Sequence, residues 1–432
     1  MAEKIIRDPV HDVITFRLDA DADALVWRLL QTPEFQRLRR IRQLGLAHLA
    51  YPGADHARYG HSLGVMEMAR RMLEQLQRSA RLDAGDRLVV LAAALLHDLG
   101  HGPFSHVFER VSGVHHEQVT QTLLLDADSN VWRVLTEHDA SLPRRVAAAV
   151  AALPDDPRHG LPPFLVHTLS SQLDADRLDY LLRDDLMTGS RYGQYDLQWL
   201  LRSLTAAGDG PTGRLAVSYK GVSAVEGYLQ ARYHMYRNVY FHKVVRSAEG
   251  MLRLALQRAR RLAIQERLDT DGPALRKALL GQSLTHEERL HLDDVTLMAA
   301  FKRWTQSDDP TLARLCHGLL FRQLYKTVEL SVELGPAEAA ERLRRAVEAV
   351  AAAGGDPHYD LFYDEPSDTP YETVSADDPA AFNEIQVLDA AGRLTPFARL
   401  SSFAASLRHF AFRRVHVRAE FKPAVLRAVT GG

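Results

Sequence analysis

Imidazole and carboxylate groups are concentrated between Leu95 and Glu109, in the sequence Leu-Leu-His-Asp-Leu-Gly-His-Gly-Pro-Phe-Ser-His-Val-Phe-Glu. His97 and Asp98 directly follow an apolar run, Leu88 to Leu96, which has the length of a buried core helix and is too short to span a membrane. Together, these two groups suit divalent ions such as iron, manganese, nickel or zinc. The alternative is an ordinary helix end with a histidine near the negative end of the dipole.

Residues that follow this pair interrupt the helical pattern. Gly100, Gly102 and Pro103 favour a bend, so we expect His101 and His106 to lie where side chains from several directions converge. Because these two further histidines come so soon after His97 and Asp98, the metal site is favoured over the ordinary helix end.

Two other predicted helices carry similar groups. His61 opens one of them after a loop-like stretch, residues 45–60, and the positive end of the helix dipole there favours the neutral imidazole that binds metals. The other helix is predicted from Phe164 to Met187. One of its faces combines two carboxylates, a phenol and a guanidinium, which favours a pocket wall over a solvated face: Asp176, Tyr180, Asp184 and Arg177.

Two basic segments each allow two interpretations. The first is predicted to be helical from Ala22 to Gln43, with a new start at Thr32-Pro33, and its arginines form either a solvated face or a phosphate-binding surface: Arg37, Arg39, Arg40 and Arg42. The second is a long helix predicted from about Ser223. Its aromatic and basic side chains could clamp a nucleotide or form an interface between helices or subunits: Tyr228, Arg232, Tyr233, His234, Tyr236, Arg237, Tyr240, His242 and Lys243.

The chemistry of these residues points to hydrolysis at a metal centre. Two imidazoles and two carboxylates from three separated helices could enclose one ion with open positions: His61, His97, Asp98 and Asp176. An open site can also hold the water that hydrolysis requires. The surplus histidines titrate near neutrality and suit general acid catalysis, and several cations could offset phosphate charge: His101, His106 and His116, with Arg58, Arg177 and Lys243.

The pattern along the whole chain predicts a mainly α protein with short β-hairpins and a smaller C-terminal α+β lobe. Residues 4–18 predict one hairpin, and residues 215–219 a second. Amphipathic helices follow over residues 245–353, with breaks near Asp271-Gly272-Pro273, Asp308-Asp309-Pro310 and Gly335-Pro336, and with Asp293 and Asp294 expected to cap one helix.

The character of the sequence changes after Gly354-Gly355-Asp356-Pro357. Alternating residues predict strands near residues 359–363, 382–388 and 414–421. We therefore divide the chain into a helical domain over residues 1–353, with its motif core at about 45–200, and an α+β lobe over residues 354–432.

Composition limits the class of protein. The 432 residues are 46% apolar, and 53 basic against 55 acidic side chains give a formal charge of −2, which argues against a general polyanion-coating protein. The single Cys316 excludes an intramolecular disulfide framework and a cysteine-based zinc site. No signal peptide and no membrane span are evident, so we expect a cytoplasmic protein without a membrane partner.

Three motifs resemble those of the HD-domain metal-dependent phosphohydrolases, and more narrowly their deoxynucleoside-triphosphate triphosphohydrolase (dNTPase) branch. They are Arg58-Tyr-Gly-His61-Ser-Leu-Gly-Val, His97-Asp98 with its Leu-Gly-His-Gly-Pro-Phe-Ser-His extension, and Asp174-Ala-Asp176-Arg-Leu-Asp-Tyr180. The specific resemblance covers residues 4 to about 250. It implies attack of metal-bound hydroxide on the α-phosphorus of a dNTP, which releases deoxynucleoside and inorganic triphosphate.

The resemblance also implies a role for each matching residue. The metal ligands become His61, His97, Asp98 and Asp176, and the ion could be manganese, iron, nickel or zinc, with magnesium on the substrate phosphates. Catalytic roles at the α-phosphate and the leaving 5′ oxygen fall to His101, His106 and His116, and Glu109 orients His106 where relatives often have Asp. Triphosphate-binding residues become Arg58, Arg177 and Tyr180, with His242 and Lys243 nearby. Gln43, Leu44 and Asp184 meet the deoxyribose, and Tyr240 belongs to the nucleotide-binding set.

Relatives of this type are homo-oligomers, and some are activated by a nucleotide bound between subunits. The resemblance therefore implies a tetramer or dimer and a nucleotide activator, with Lys4, Gln36 and Arg39 at the allosteric site. Gln31 stands where the guanine-specific activator site of a relative has Asp, and Arg7 replaces a neutral polar residue. These two departures weaken the case for guanine-selective activation.

Two competing hypotheses stay open. An HD phosphohydrolase could act on another phosphoester, such as a nucleoside monophosphate or cyclic nucleotide. Alternatively, a metal-containing protein could bind single-stranded nucleic acid through the Arg37–Arg42 segment or through Arg413 and Arg414, although the near-neutral charge argues against this.

Overall fold

The computed structural model describes residues 3–151, 158–208, 213–270, 272–371 and 384–430, and helices dominate these ranges. The α-helices are α1 Asp21–Leu30, α2 Pro33–Arg37, α3 Arg58–Leu76, α4 Ala84–Leu96, α5 His106–Ser112, α6 His116–Leu125, α7 Asn130–His138, α8 Leu142–Ala151, α9 Pro163–Leu169, α10 Ala175–Thr188, α11 Leu197–Ser203, α12 Val222–Met235, α13 Lys243–Ile264, α14 Pro273–Leu279, α15 His286–Leu290, α16 Asp294–Trp304, α17 Pro310–Leu320, α18 Pro336–Ala352, α19 Pro357–Asp360, α20 Phe397–Leu400, α21 Ser402–Ser406 and α22 Lys422–Thr430. The strands are β1 Glu3–Asp8, β2 Asp12–Arg17, β3 Leu204–Ala207, β4 Arg214–Ser218, β5 Lys326–Leu330, β6 Leu361–Asp364, β7 Ser367–Asp368, β8 Gln386–Leu388, β9 Leu394–Pro396, β10 Phe410–Ala411 and β11 Arg413–Val417. The predicted mainly α fold is confirmed.

Helix α4 is the buried helix predicted from the apolar run. It begins at Ala84, where the Asp83 side chain accepts a hydrogen bond from the Gly85 amide, and every residue from Val89 to Leu96 is buried. Helices α3, α8 and α9 pack around it, and α10 packs against α3, within the largest hydrophobic core. The end of α4 therefore delivers His97 and Asp98 from the centre of the protein.

The prediction of a single helix from Phe164 to Met187 is wrong, because the helix is interrupted between α9 and α10. The Asp174 side chain accepts a hydrogen bond from the Arg177 amide at 2.8 Å and so starts a new helix. Helix α9 ends earlier, at Leu169, and the residue that follows it, Ser170, is already extended.

Two other predicted helices are shorter than expected. The start at Thr32-Pro33 is confirmed by α2, but α2 ends at Arg37, and a 3-10 turn carries the chain only to Arg40. The long helix after Ser223 is α12, which continues as a π-helical turn over Tyr236–Tyr240 and then stops. A new helix, α13, follows, and the His242 side chain accepts a hydrogen bond from the Val244 amide at its start.

Small sheets complete the structure. Strands β1 and β2 form the hairpin predicted from residues 4–18. Strands β3 and β4 form the second one, although residues 209–212 lie outside the described ranges. Strand β8 pairs in parallel with β4 and antiparallel with β9, so a C-terminal segment completes a sheet that begins in the helical domain.

The three-stranded sheet has the order β5-β11-β6 and carries its own hydrophobic core, to which α18 and α22 contribute. Strand β5 and helix α18 precede residue 354, whereas β6, β11 and α22 follow it. The division at residue 354 therefore stays a prediction. The first two residues of the strand predicted at 382–388 and Asp271 of one predicted helix break lie outside the described ranges.

Among the helices of the described ranges, we find none that is both long enough and apolar enough to cross a bilayer.

Candidate metal centre and active site

Four side chains at the ends of three helices lie together, and we call them the metal-binding group: His61, His97, Asp98 and Asp176. His61 from α3, His97 after α4 and Asp176 from α10 each offer one ligand atom, and these three atoms lie within 4.8 Å of one another. The His61 Nε2 atom is 2.9 Å from Asp176 Oδ1, and His97 Nε2 is 3.8 Å from the same oxygen. Asp98 adds a carboxylate whose oxygens lie 3.4 Å from His97 Nε2 and 3.9 Å from His61 Nε2. The four predicted metal ligands therefore meet in space.

The hydrogen bond of the His97 ring leaves a free nitrogen lone pair directed at these carboxylates. His97 Nδ1 donates to the Ala94 carbonyl at 2.9 Å, so Nε2 carries the lone pair in the neutral ring. That Nε2 atom is buried and has no hydrogen-bond partner within the described ranges. A lone pair facing carboxylate oxygens is repulsive unless a cation lies between them, so the group fits a divalent metal ion.

A buried carboxylate holds the ring of His61 from the other side. Asp179 is fully buried, and its Oδ2 atom accepts from His61 Nδ1 at 2.9 Å. Burial lowers the pKa of His61, but hydrogen bonds and charge from Asp176 and Asp179 raise it overall to about 10. The two carboxylates therefore favour a positive charge on the His61 ring when no cation is bound beside it, and the neutral ring expected from the helix dipole is not found.

The predictions did not include the residues that support Asp179. His11 Nε2, from the turn of the β1–β2 hairpin, lies 2.7 Å from Asp179 Oδ1, and Arg183 binds Asp179 and Asp8 with its guanidinium. Burial raises the pKa of Asp179, but Arg183, His11 and His61 lower it well below its usual range. In the sequence, Asp179 lies within the third motif and Asp8 and His11 lie in the predicted hairpin. Neither position indicates that these residues contact each other.

Arg58 and His101 hold Asp98 on its other side. Arg58 makes an ion pair with its Oδ2 atom, and His101 Nε2 lies 3.2 Å from Oδ1. Burial raises the pKa of Asp98, but Arg58, His97 and His101 lower it well below the usual range. Asp98 is therefore an anion, as a metal ligand must be.

A second cluster, formed by His101, His106, His116 and Glu109, lies next to the metal-binding group. Glu109 is its centre, with carboxylate oxygens 3.4 Å from His101, 3.5 Å from His106 and 2.9 Å from His116. The rings of His101 and His116 stack with centroids 3.8 Å apart. His106 differs from the others because 63% of its side chain is exposed, which leaves it free to contact a ligand.

The pKa values in this cluster diverge. Burial and the charge of Arg58 lower the pKa of His101 to about 4, so this ring is neutral near pH 7. Burial raises the pKa of Glu109, but hydrogen bonds to the three histidines lower it far more, so Glu109 is an anion. Paired groups with such different pKa values are typical of acid–base sites.

A cavity of about 430 Å³, the central cavity, opens onto both clusters. Most of the predicted site residues line it: Gln43, Leu44, Arg58, His61, Asp98, His101, His106, His116, Asp176, Tyr180, Asp184 and Tyr240. The Gln43 Oε1 atom is buried without a hydrogen-bond partner in the described part of the chain. Asp184 is fixed at the wall by His56 at 2.7 Å and by the Tyr240 hydroxyl at 2.9 Å. His56 was not predicted.

A second cavity, of about 270 Å³, lies beyond the metal-binding group. We call it the Arg177 cavity, because Arg177 lines it together with His97. It shares Asp98, His116 and Asp176 with the central cavity, so the metal-binding group stands between the two. Arg177 also pairs with Asp174 at 3.3 Å.

His242 and Lys243 line neither cavity. His242 caps α13 and packs edge-on against the ring of Tyr51, and Lys243 is exposed at the first position of that helix. The structure therefore does not bring these two residues to the metal-binding group.

The arginines of the Arg37–Arg42 segment bind the protein itself. Arg37 donates to the Leu292 carbonyl at 2.6 Å, Arg40 pairs with Asp293 at 2.5 Å, and Arg42 pairs with Asp55 at 2.8 Å. Arg39 and Arg40 are nevertheless exposed, so part of this segment is a solvated face. Arg413 and Arg414 are likewise engaged, with Glu365 and Glu329.

The three residues of the predicted allosteric site lie in two places. Arg39 donates to Gln36 Oε1 at 2.8 Å, and its guanidinium stacks 3.5 Å above the ring of Tyr59. Lys4 lies instead near the ring of Trp27, 6.0 Å from its centroid. Tyr59 follows Arg58 in α3, and Arg58 lines the central cavity. Arg39 therefore contacts the residue next to one that lines the cavity.

Comparisons with known proteins agree with this geometry. Residues 58–181 match the HD domain, and residues 195–377 match an HD associated region. An uncharacterized protein of Bacillus subtilis, YwfO, is 37% identical over 406 residues, which are 94% of this chain and 89% of that protein. The deoxynucleoside triphosphate triphosphohydrolase SAMHD1 of Gallus gallus is 30% identical over 285 residues, but the match covers only 59% of this chain and 45% of that protein.

A solved structure has the same fold over nearly the whole chain. A phosphohydrolase from Bacteroides thetaiotaomicron superposes with a TM-score of 0.79 at 29% identity, over 96% of this chain and all of that one. The match to the HD domain includes all four residues of the metal-binding group. The chain belongs to the HD-domain phosphohydrolases.

Proposed function

We propose that the protein is a metal-dependent dNTP triphosphohydrolase, which converts a dNTP and water into deoxynucleoside and inorganic triphosphate. One observation carries the proposal: the metal-binding group stands between two cavities that share Asp98, His116 and Asp176. A nucleotide cleaved at its α-phosphate needs room on both sides of that phosphorus, for the nucleoside and for the remaining phosphates. The similarity to proteins named as deoxynucleoside triphosphate triphosphohydrolases supports the choice of substrate.

The residues that would hold the metal are His61, His97, Asp98 and Asp176. A divalent transition ion there would activate a water and polarise a phosphoryl oxygen. Manganese, iron, nickel and zinc all suit this mixture of imidazole and carboxylate. Elemental analysis of the purified protein identifies the ion.

His106 would protonate the leaving 5′ oxygen. The bond between that oxygen and the α-phosphorus breaks while water supplies the new oxygen on phosphorus, so the departing alkoxide requires one proton. His106 is the most exposed member of its cluster, and Glu109 lies 3.5 Å from its Nδ1 atom and would orient it. Arg58, His101 and His116 would stabilise the charge that develops on the α-phosphate.

The central cavity would hold the deoxynucleoside. Gln43 and Asp184 offer buried oxygens to the 3′ hydroxyl, and Leu44, Tyr180 and Tyr240 supply apolar and aromatic walls. Arg177 would take the distal phosphates from the opposite side, where the Arg177 cavity adjoins the metal-binding group. Close packing of the cavity wall under C2′ of the sugar would exclude ribonucleotides, because they carry a hydroxyl group there.

The test uses purified protein with Mn²⁺ and the four dNTPs, singly and mixed, with products separated by chromatography. We expect equal amounts of deoxynucleoside and inorganic triphosphate. His116→Ala should lower turnover by a factor of about 100 or more, because removing one group that stabilises charge in the transition state typically costs this much. The neighbouring exposed His115, which lies outside the cluster, provides the matched control His115→Ala. Diphosphate products, or no turnover with any metal, would contradict the proposal.

One observation favours a second candidate, an HD phosphohydrolase for a smaller phosphoester. His242 and Lys243 line neither cavity, so two of the residues predicted near the triphosphate do not reach it. Nucleoside monophosphates and cyclic nucleotides, tested in the same assay, would then be hydrolysed faster than dNTPs.

The hypothesis of nucleic-acid binding is not supported by the contacts of the basic residues. The side chains that it requires bind protein groups instead: Arg37, Arg40, Arg413 and Arg414.

We also propose that the protein is a homo-oligomer activated by a nucleotide near Gln36 and Arg39. Arg39, which donates to Gln36, stacks on Tyr59, the neighbour of Arg58, and through this contact a nucleotide bound at Arg39 would influence the central cavity. Light scattering with and without dNTPs measures the oligomeric state. Turnover of one dNTP that rises when a second is added would support activation, and turnover that stays unchanged would contradict it.

A further inference from the structure

The catalytic loop between His101 and His106 has an unusual backbone. Phe104 and Ser105 both have positive φ angles, 51° and 50°, although neither is glycine. Side chains other than glycine rarely adopt this region, and such residues persist only where surrounding contacts hold them. The position of His106, the first residue of α5, depends on these two residues.

Helix α16 contacts this loop at two points. The Asp294 Oδ1 atom accepts a hydrogen bond from the Phe104 amide at 2.7 Å, and the Phe104 ring stacks on Phe301 with centroids 6.5 Å apart. Asp294 and Phe301 are seven residues apart, so they lie on one face of the helix. Phe104 is thus held by its backbone and by its side chain.

The second oxygen of Asp294 holds another segment that leads into the wall of the central cavity. Asp294 Oδ2 accepts from the Arg42 amide at 2.9 Å. The next residue, Gln43, donates its amide to the His56 carbonyl at 3.0 Å, and Gln43 with Leu44 lines the cavity. One carboxylate, 4% exposed, therefore joins the loop that carries His106 to the segment that would contact the sugar.

We infer that Asp294 is a positioning residue for the proposed reaction, and this inference rests on the proposed function. Its carboxylate fixes the catalytic loop beside the Arg42–Gln43 segment, so that the group donating the proton and the group binding the nucleoside keep a constant relative position. Asp293 does not share this role. It caps α16 through the Thr296 amide and pairs with Arg40, as the sequence predicted for a capping residue. The expectation that Asp294 also caps the helix is wrong, because both of its oxygens bind other segments.

The test compares Asp294→Ala with Asp293→Ala, which removes a neighbouring buried carboxylate that does not touch the loop. We expect Asp294→Ala to lower kcat for a dNTP by about 100-fold, the effect of misplacing a reacting group by about 1 Å, with a much smaller change in KM. Metal content should stay equal to that of the wild type, since Asp294 contacts none of the metal-binding residues. Asp293→Ala should lower the Tm but leave kcat near the wild-type value.

A second measurement does not depend on turnover. Hydrogen–deuterium exchange of peptides spanning residues 99–108 should accelerate in Asp294→Ala and stay unchanged in Asp293→Ala, because only Asp294 protects the Phe104 amide. If Asp294→Ala does not fold, Asp294→Asn replaces it; its single carbonyl oxygen can keep one of the two hydrogen bonds, and kcat should fall by less. Equal kcat losses in the Asp293 and Asp294 variants, or unchanged exchange, would overturn the inference. A protein that does not hydrolyse dNTPs yet shows the faster exchange would refute the proposed function and leave the role of Asp294 in the loop intact.

Discussion

Asp179 determines how the ring of His61 is presented to the metal-binding group. It accepts from Nδ1 and so fixes the tautomer in which Nε2 faces Asp176. Asp179 is in turn held by Arg183 and by His11 from the hairpin. A contact between residues 168 positions apart thus links the first strands of the chain to a proposed metal ligand.

Replacing Asp179 with asparagine should weaken metal binding. The amide oxygen can still accept from His61, but the negative charge that makes the ring a better ligand is lost, so we expect the affinity for Mn²⁺ to fall by about 10- to 100-fold. Titration against a metal-binding dye measures this affinity without any substrate.

Asp185→Asn is the matched control for this prediction. Asp185 is buried on the same helix but accepts from Ser190 and the Gly193 amide, away from His61. An Asp179→Asn protein that binds Mn²⁺ as tightly as the control would show that His61 needs no such partner.

Helix α10 has a different function on each of two faces. One face carries Asp176, Tyr180 and Asp184 toward the central cavity, and the other carries Asp179 and Arg183 into the contact with α3. Gly64 of α3 permits this contact, because a Cβ atom there would lie 2.0 Å from Asp179 Oδ1 and 2.3 Å from Arg183 Nη2. The ion pair therefore packs against bare backbone.

Gly64→Ala should lower the free energy of unfolding by about 1 to 3 kcal/mol, because the added methyl group overpacks a buried ion pair. Gly227 in α12 is a matched control, since a Cβ atom there would meet nothing within 4 Å. Gly227→Ala should raise the free energy of unfolding by about 0.5 to 1 kcal/mol. Urea denaturation measures the free energy of unfolding of both variants. Equal changes in Gly64→Ala and Gly227→Ala would contradict the packing argument.

Elements with a local signal could be predicted from the sequence, whereas contacts between distant segments could not. The apolar run gave α4, and the spacing of Asp176, Tyr180 and Asp184 gave one face of α10. The break between α9 and α10 was missed because Asp174 was assigned only to the motif, although it also caps the helix. The convergence of His61, His97, Asp98 and Asp176 was implied by the family resemblance, since local pattern cannot show which helix ends meet.

At the scale of the whole molecule, a buried ion pair between Arg246 and Asp364 helps to join the C-terminal sheet to the helices. Asp364 of β6 accepts two hydrogen bonds from Arg246 of α13, at 2.6 and 3.1 Å, and is 8% exposed. Burial raises the pKa of Asp364, but hydrogen bonds to His416 and Arg246 lower it below its usual range. A carboxyl group with a lowered folded-state pKa stabilises the protein above the unfolded-state pKa, and that stabilisation is lost as the pH falls through the folded-state value.

We therefore expect Asp364→Asn to lower the free energy of unfolding by about 3 kcal/mol at pH 7, the low end for a broken buried ion pair, because Arg246 keeps Glu249 as a partner. The difference from the wild type should shrink as the pH falls below about 3.9, where the unfolded carboxyl group becomes protonated. Denaturation at a series of pH values measures both quantities. The exposed Asp308, replaced by asparagine, is the control. If the difference in the free energy of unfolding between the wild type and Asp364→Asn grew as the pH falls, the lowered pKa of Asp364 would be contradicted.

The parallel pairing of β8 with β4 has a consequence for dividing this polypeptide. A fragment ending at residue 353 would contain every proposed metal ligand, yet β4 would lose its neighbour and present an open row of amide and carbonyl groups. Such an edge recruits strands from other molecules. The amino-terminal portion made alone would therefore be prone to aggregation, whatever the state of its metal centre.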